Sequence, residues 1–141
     1  MYDKPYPTIS LVVPTIGRPS LRQTLESIKQ QAILPGDELL LIGDGPQPIA
    51  KAMFDEFGLP GRYIETPYPL GSWGHGARNF VLGNRMPMCD VICAADDDDT
   101  LDPTHFQTVR VVAAAYPGSL LMFRMRYQNG YVIWQDEKIE I

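Results

Sequence analysis

Four consecutive carboxylates, Asp96-Asp97-Asp98-Asp99, follow directly on the apolar run Val91-Ile92-Cys93-Ala94-Ala95. A short uninterrupted apolar run ending in acid reads as a strand buried on both faces, whose carboxyl end opens where α/β sheets bind ligands. Alternate side chains of an extended chain lie about 6.6 Å apart on one face, so each same-face pair of carboxylates repels by about 2.5 kcal/mol at an effective dielectric of ~20. Such a cluster favours a divalent cation over a merely solvated acidic turn. Asp102-Pro103, read as a helix N-cap with proline at N1, strengthens that reading.

Other polar groups fall just beyond predicted strands. Asp44, in Gly43-Asp44-Gly45, could accept a hydrogen bond from a nucleobase ring N–H while the glycines admit a planar group; alone it would pass for an ordinary Asp-Gly turn residue. Arg78 opens a helix where backbone N–H groups and a guanidinium could together hold an anion such as pyrophosphate, though a surface arginine reads the same way in isolation. Thr15 closes the first strand. In the glycine-rich loop before Arg78, Trp73 could stack on a ligand or simply anchor the loop, and His75 is weaker as a phosphate contact.

These side chains need a scaffold that brings strand ends together. Ile9 to Val13 and Glu38 to Ile42 are strand candidates, Arg62 to Glu65 is a shorter one, and the acidic run caps a fourth. Between them Leu21, Leu25, Ile28 and Ala32 recur at helical spacing after a Ser20/Gln23 capping-box pattern, Ile49 to Phe57 reads as a helix stopped by Gly58, and a third helix is expected from about Ala77 to Asn84. Phe106, Val109 and Ala113 mark a fourth. Near the end, Leu120 to Tyr127 and Tyr131 to Trp134 flank Gln128-Asn129-Gly130, a strong hairpin signal. Alternating strand and helix followed by a hairpin predicts an α/β fold with a mostly parallel, doubly wound sheet and an antiparallel C-terminal hairpin.

The 141 residues suit one domain, spanning 1–141, and the 45% hydrophobic and 21% charged content mark a globular soluble class. A net charge of −5 without any Lys/Arg cluster argues against nucleic acid as partner. Four residues of extended strand would hold Cys89 and Cys93 about 13 Å apart, so free thiols are expected. With no signal-like opening and no apolar run of membrane-spanning length, a cytoplasmic setting is expected.

Taken together, the pieces resemble the nucleotide-binding half of the GT-A glycosyltransferases, family 2 in particular, from Ile9 to about Pro103. Val13-Pro14-Thr15 with Arg18 is similar to the family's opening strand and Pro-Thr loop, Leu41-Ile42-Gly43-Asp44-Gly45 to its Val-Asp-Asp-Gly-Ser turn, and Gly76-Ala77-Arg78-Asn79 to its Ala-Arg-Asn helix start. Asp96 to Asp99 with Pro103 is similar to its Asp-x-Asp-Asp element followed by proline. The resemblance implies a Rossmann-like GT-A fold and a UDP- or GDP-type nucleotide-diphosphate sugar as donor. Thr15 and Asp44 would contact its base, Arg78 the base or diphosphate side, and Asp98 the ribose or metal, with Arg18 in the same nucleotide-sugar set. Asp99 would ligate Mn²⁺ or Mg²⁺, and Asp97 is expected to matter less.

Two departures bear on activity. Gly43 stands where the family has its first turn Asp, and the chain ends soon after the hairpin, where the family places acceptor-binding and catalytic groups farther on. Asp136, Glu137 or Glu140 would have to supply a general base. A noncatalytic nucleotide-sugar-binding module is therefore the alternative. Lower still stands a haloacid-dehalogenase-type phosphatase, with Asp96 as nucleophile and Asp98 as acid/base. Met122, Phe123 and Trp134 leave a homodimer through the hairpin open.

Overall fold

The computed structural model describes residues 5–120, 125–127, 129–130 and 132–133. Four parallel strands, β1 (Ile9–Thr15), β2 (Glu38–Gly43), β3 (Gly61–Glu65) and β4 (Val91–Ala94), form one sheet in the order β3-β2-β1-β4. Helices α1 (Leu21–Lys29), α2 (Pro48–Phe57) and α3 (His75–Gly83) connect them in turn, and α4 (His105–Ala115) follows β4.

The pleat of β1 sorts the core into two layers. Ile9, Leu11 and Val13, with Leu39 and Leu41 of β2, pack against Leu21, Leu25 and Ile28 of α1, Ala50 of α2, and Phe106 and Val109 of α4. Val12, Leu40 and Ile42 point the other way, onto Ala77 and Val81 of α3. Topology explains the division. The chain steps one way from β1 to β3, then jumps back past β1 to reach β4, and right-handed crossovers put the helix of that return on the opposite face. The carboxyl ends of β1 and β4 thus flank the point where the winding reverses, where open α/β sheets hold ligands.

At the opposite end of the sheet a buried ion pair ties the layers together. Asp37 accepts the backbone N–H of Ile9 (2.9 Å) and Leu34 (2.8 Å) and two hydrogen bonds from Arg110 (2.8 and 2.5 Å). Arg110 also reaches the carbonyls of Pro7 and Ala32 and lies over the rings of Tyr6 and Phe106. With its donors satisfied in this way, the pair offsets the cost of taking two charges out of water.

Several expectations are corrected. The acidic strand β4 is an edge strand: Val91 and Cys93 are half-buried toward the core, whereas Ile92 is 53% exposed and Ala94 is exposed. An apolar run reports the hydrophobicity of both faces but not whether a neighbour covers them. Ser20 is the N-cap residue of α1, but its side chain makes no cap hydrogen bond; its hydroxyl donates to the Asp97 carbonyl at 3.0 Å. Asp102 is not the N-cap of α4, which is Thr104; it accepts the Thr104 N–H (2.9 Å) and hydroxyl (2.7 Å) in a turn just upstream. The third helix begins at His75, two residues before Ala77.

Met125–Arg126 (β5) pairs antiparallel with Val132–Ile133 (β6) as a two-strand unit separate from the main sheet. Of the predicted hairpin, Leu121 to Arg124, Gln128, Tyr131 and Trp134 lie outside the described residues, Met122 and Phe123 among them, as do Asp136, Glu137 and Glu140. Both cysteines are free thiols, and burial pushes Cys93 up to about 11. Among the described residues no helix is long and apolar enough to cross a membrane.

Candidate functional site

The acidic run is a turn rather than a continuation of β4. The ladder to β1 ends with the Ala95 N–H on the Val12 carbonyl, after which the Asp99 N–H donates to the Asp96 carbonyl at 3.1 Å and the Asp99 carboxylate accepts the Asp96 N–H at 2.9 Å. This reversal replaces the alternation of an extended chain. Asp96, Asp98 and Asp99 each bring one carboxylate oxygen to within 4.8 Å of the others, whereas the Asp97 carboxylate is engaged by Thr15 and Arg18. Asp96 thus joins the two metal candidates named from sequence. Burial, then the charges of Asp96 and Asp98, push the Asp99 carboxyl above its usual range, against the Asp96 N–H and Arg78, which lower it.

Asp97 holds the turn to the first strand. Only 2% exposed, it accepts hydrogen bonds from the Thr15 hydroxyl (2.9 Å), the Ile16 N–H (3.3 Å) and Arg18 Nε (3.0 Å), and pairs with a second Arg18 nitrogen. Arg18 also lies 3.7 Å from Asp98. The Thr15 hydroxyl further accepts the Gly17 N–H at 3.0 Å, so this buried side chain is committed to shaping the β1 exit. The resemblance set Asp97 apart only as mattering less than Asp99; its structural role was hidden because its partners lie some 80 positions away.

Asp44 occupies the end of β2, its N–H on the Thr15 carbonyl at 3.0 Å. Its buried carboxylate accepts the N–H of Leu70 (2.6 Å) on one oxygen and of Gly71 (2.9 Å) on the other, anchoring the loop that leads to α3. That loop runs through four successive residues of positive φ: Gly71 (68°), Ser72 (58°), Trp73 (53°) and Gly74 (89°). For Ser72 and Trp73 the conformation costs about 1–3 kcal/mol each, so the surroundings must hold it. Gly74 is required where it stands, since a Cβ there would lie 2.7 Å from Pro14 Cγ.

Arg78, in the first turns of α3, pairs with the Asp96 carboxylate and lies 3.4 Å from the Ala95 carbonyl. Its Nε is buried with no hydrogen-bond partner among the described residues. A buried donor without an acceptor costs about 1–3 kcal/mol, a deficit that an anion beside α3 would relieve. The structure therefore gathers Thr15, Arg18, Asp44, Arg78, Asp98 and Asp99 at the carboxyl edge of one sheet, while Asp136 and Glu137 lie outside the described residues.

An open parallel sheet with an acidic turn and the partly buried Arg78 at its switch point defines a Rossmann-like α/β domain. The chain belongs to glycosyl transferase family 2, whose pattern matches residues 10–138. That membership sets the phosphatase reading of Asp96 and Asp98 aside. A comparison with curated proteins gave no match. Among solved structures, S. aureus TarS 1-349 is 15% identical with a TM-score of 0.68, over 77% of this chain and 33% of that one. The same protein in complex with UDP-GlcNAc gives 16%, 0.67, 77% and 32%. The mannosyltransferase PcManGT from Pyrobaculum calidifontis, in complex with GDP-Man and Mn²⁺, is 15% identical with a TM-score of 0.62, over 84% of this chain and 36% of that one. The chain thus spans about a third of the length of these proteins, which share its GT-A fold.

Proposed function

We propose that the chain is the donor-binding part of a metal-dependent glycosyltransferase, taking a UDP- or GDP-type nucleotide-diphosphate sugar. The observation that carries this reading is the convergence of Asp96, Asp98 and Asp99 beside Arg78 at the sheet's switch point. Three carboxylate oxygens are hard donors that suit Mn²⁺ or Mg²⁺, and such a cation would offset the burial and the neighbouring charges that raise Asp99. When bound, the metal supplies positive charge that stabilises a diphosphate leaving group. Family membership and the nucleotide sugars held by TarS and PcManGT support the donor class.

The chain's own groups divide the remaining work. Asp44, whose oxygens keep lone pairs beyond those used by the loop amides, accepts a ring N–H of the base. Thr15 and Arg18 fix the β1 exit around it through Asp97. Arg78 turns its free Nε–H toward a diphosphate oxygen. Asp136 and Glu137 are the candidates for the base that takes the acceptor proton.

A donor-binding module without turnover is the second reading, and the matched region is about a third of TarS 1-349. Saturating UDP-GlcNAc or GDP-Man with Mn²⁺ should raise the melting temperature, and chelation should remove the gain. Donor turnover with a panel of saccharide and protein acceptors separates the readings: acceptor-dependent turnover lost in Asp136→Asn or Glu137→Gln marks a transferase, and binding without turnover marks the module. No thermal shift with any nucleotide sugar would overturn both.

A further inference from the structure

We propose that Trp73 is the platform on which the base of the bound nucleotide stacks, an inference that rests on the donor site proposed above. At 93% exposed, its indole is the most exposed large apolar side chain among the described residues. A single exposed aromatic means little by itself. Here the backbone holds it out: Ser72 and Trp73 both sit at positive φ between two glycines, a pose the chain does not adopt without restraint.

Both restraints are parts of the site. Two residues before Trp73, Gly71 donates its N–H to Asp44, the carboxylate assigned to the edge of the base. One residue after it, Gly74 seats against Pro14, next to Thr15, with an Arg78 nitrogen 3.9 Å from where a Cβ would be. The indole is thus tied by short lengths of chain to the group that would read the base and to the group that would meet the diphosphate. The segment from Pro67 to Ala77 carries no Asp, Glu, Lys or Arg, which suits a flat uncharged ring better than a phosphate. A base held at its edge by a carboxylate still presents a π-face, and an aromatic side chain is the usual partner for one.

The test compares the full chain with Trp73→Ala and Trp73→Phe in titrations of UDP, GDP and inorganic pyrophosphate, each with Mn²⁺. Trp73→Ala should bind the nucleoside diphosphates about tenfold more weakly and pyrophosphate as the parent does, and Trp73→Phe should keep most of the affinity. In a Trp134→Phe background, which leaves Trp73 as the only indole, UDP or GDP should change the fluorescence and pyrophosphate should not. Unchanged nucleotide affinity in Trp73→Ala, or an equal loss for pyrophosphate, would overturn this inference and leave the donor site standing. A parent chain that binds neither nucleotide would overturn the donor site and the inference with it.

Discussion

The Thr15 hydroxyl donates to the Asp97 carboxylate at 2.9 Å across 82 positions of sequence, joining the ends of β1 and β4 at the point where the sheet reverses its winding. That contact, with the Ile16 and Arg18 donors beside it and the Thr24 hydroxyl on the Asp99 carbonyl at 2.7 Å, ties the acidic turn to the β1 side of the sheet.

Removing it should therefore cost stability before it costs chemistry. Asp97→Ala leaves the buried Thr15 hydroxyl and the part-buried Ile16 N–H without their acceptor, and a loss of about 1–3 kcal/mol is expected. The charge of Arg18, half exposed, returns to water and adds little. Asp97→Asn, which keeps one acceptor oxygen, should lose less. Urea denaturation of the two variants measures this, and midpoints equal to the parent's would remove Asp97 from its structural role.

Asp99→Asn should behave in the opposite way. Because burial and neighbouring charge raise the Asp99 pKa, its ionised form opposes folding, fully so above the folded value and not at all once pH falls below the unfolded one. The neutral amide should leave the metal-free chain at least as stable as the parent at pH 7, with the difference closing as acid protonates the parent. Metal-dependent nucleotide binding should meanwhile disappear. Thermal melts across pH, with and without Mn²⁺ and UDP, report both effects; a less stable metal-free variant contradicts the first.

How far the sequence could be read depended on how local the deciding contacts are. The apolar runs of β1 and β2 and the start of α1 need no knowledge of distant partners and stand where the pattern placed them, although α1 ends at Lys29, before Ala32. Ser20 stands at the N-cap position the pattern gave it, but its hydroxyl is drawn to a carbonyl 77 positions away, and Asp102 lies upstream of the α4 N-cap Thr104. Four identical aspartates could be recognised as a site, but a turn decides which of them face one another. Family resemblance named Asp98 and Asp99; the addition of Asp96 and the burial of Asp97 became visible only with the backbone in place.

The Arg110 to Asp37 pair was invisible in the sequence for the same reason, its partners being 73 positions apart. Arg110→Met strands a buried carboxylate and should cost about 3–5 kcal/mol. Adding Asp37→Asn should recover part of that loss by removing the charge. A single variant as stable as the parent in urea would contradict the clamp.

Acid should weaken the fold partly through Glu38. Burial raises its pKa, but the Met88 N–H, the Arg62 guanidinium and the Ser10 hydroxyl together bring it below the usual carboxylate range. A lowered folded pKa contributes stability above the unfolded value of about 4.3, and that contribution fades as pH falls through the folded value beneath it. Between about pH 5 and 3 the parent should lose more stability than Glu38→Gln. Parallel losses in pH-dependent urea titrations would exclude Glu38 as a source.

The role proposed for the acidic turn, as a cation and nucleotide site, is tested most directly by counting bound Mn²⁺. Electron paramagnetic resonance of free Mn²⁺, titrated into the full chain with UDP or GDP, should show one tightly held ion per chain. That ion should weaken without nucleotide, vanish in Asp99→Asn and persist in Glu38→Gln. Equal Mn²⁺ binding by the parent and Asp99→Asn, or no nucleotide-dependent binding in the parent, would contradict it.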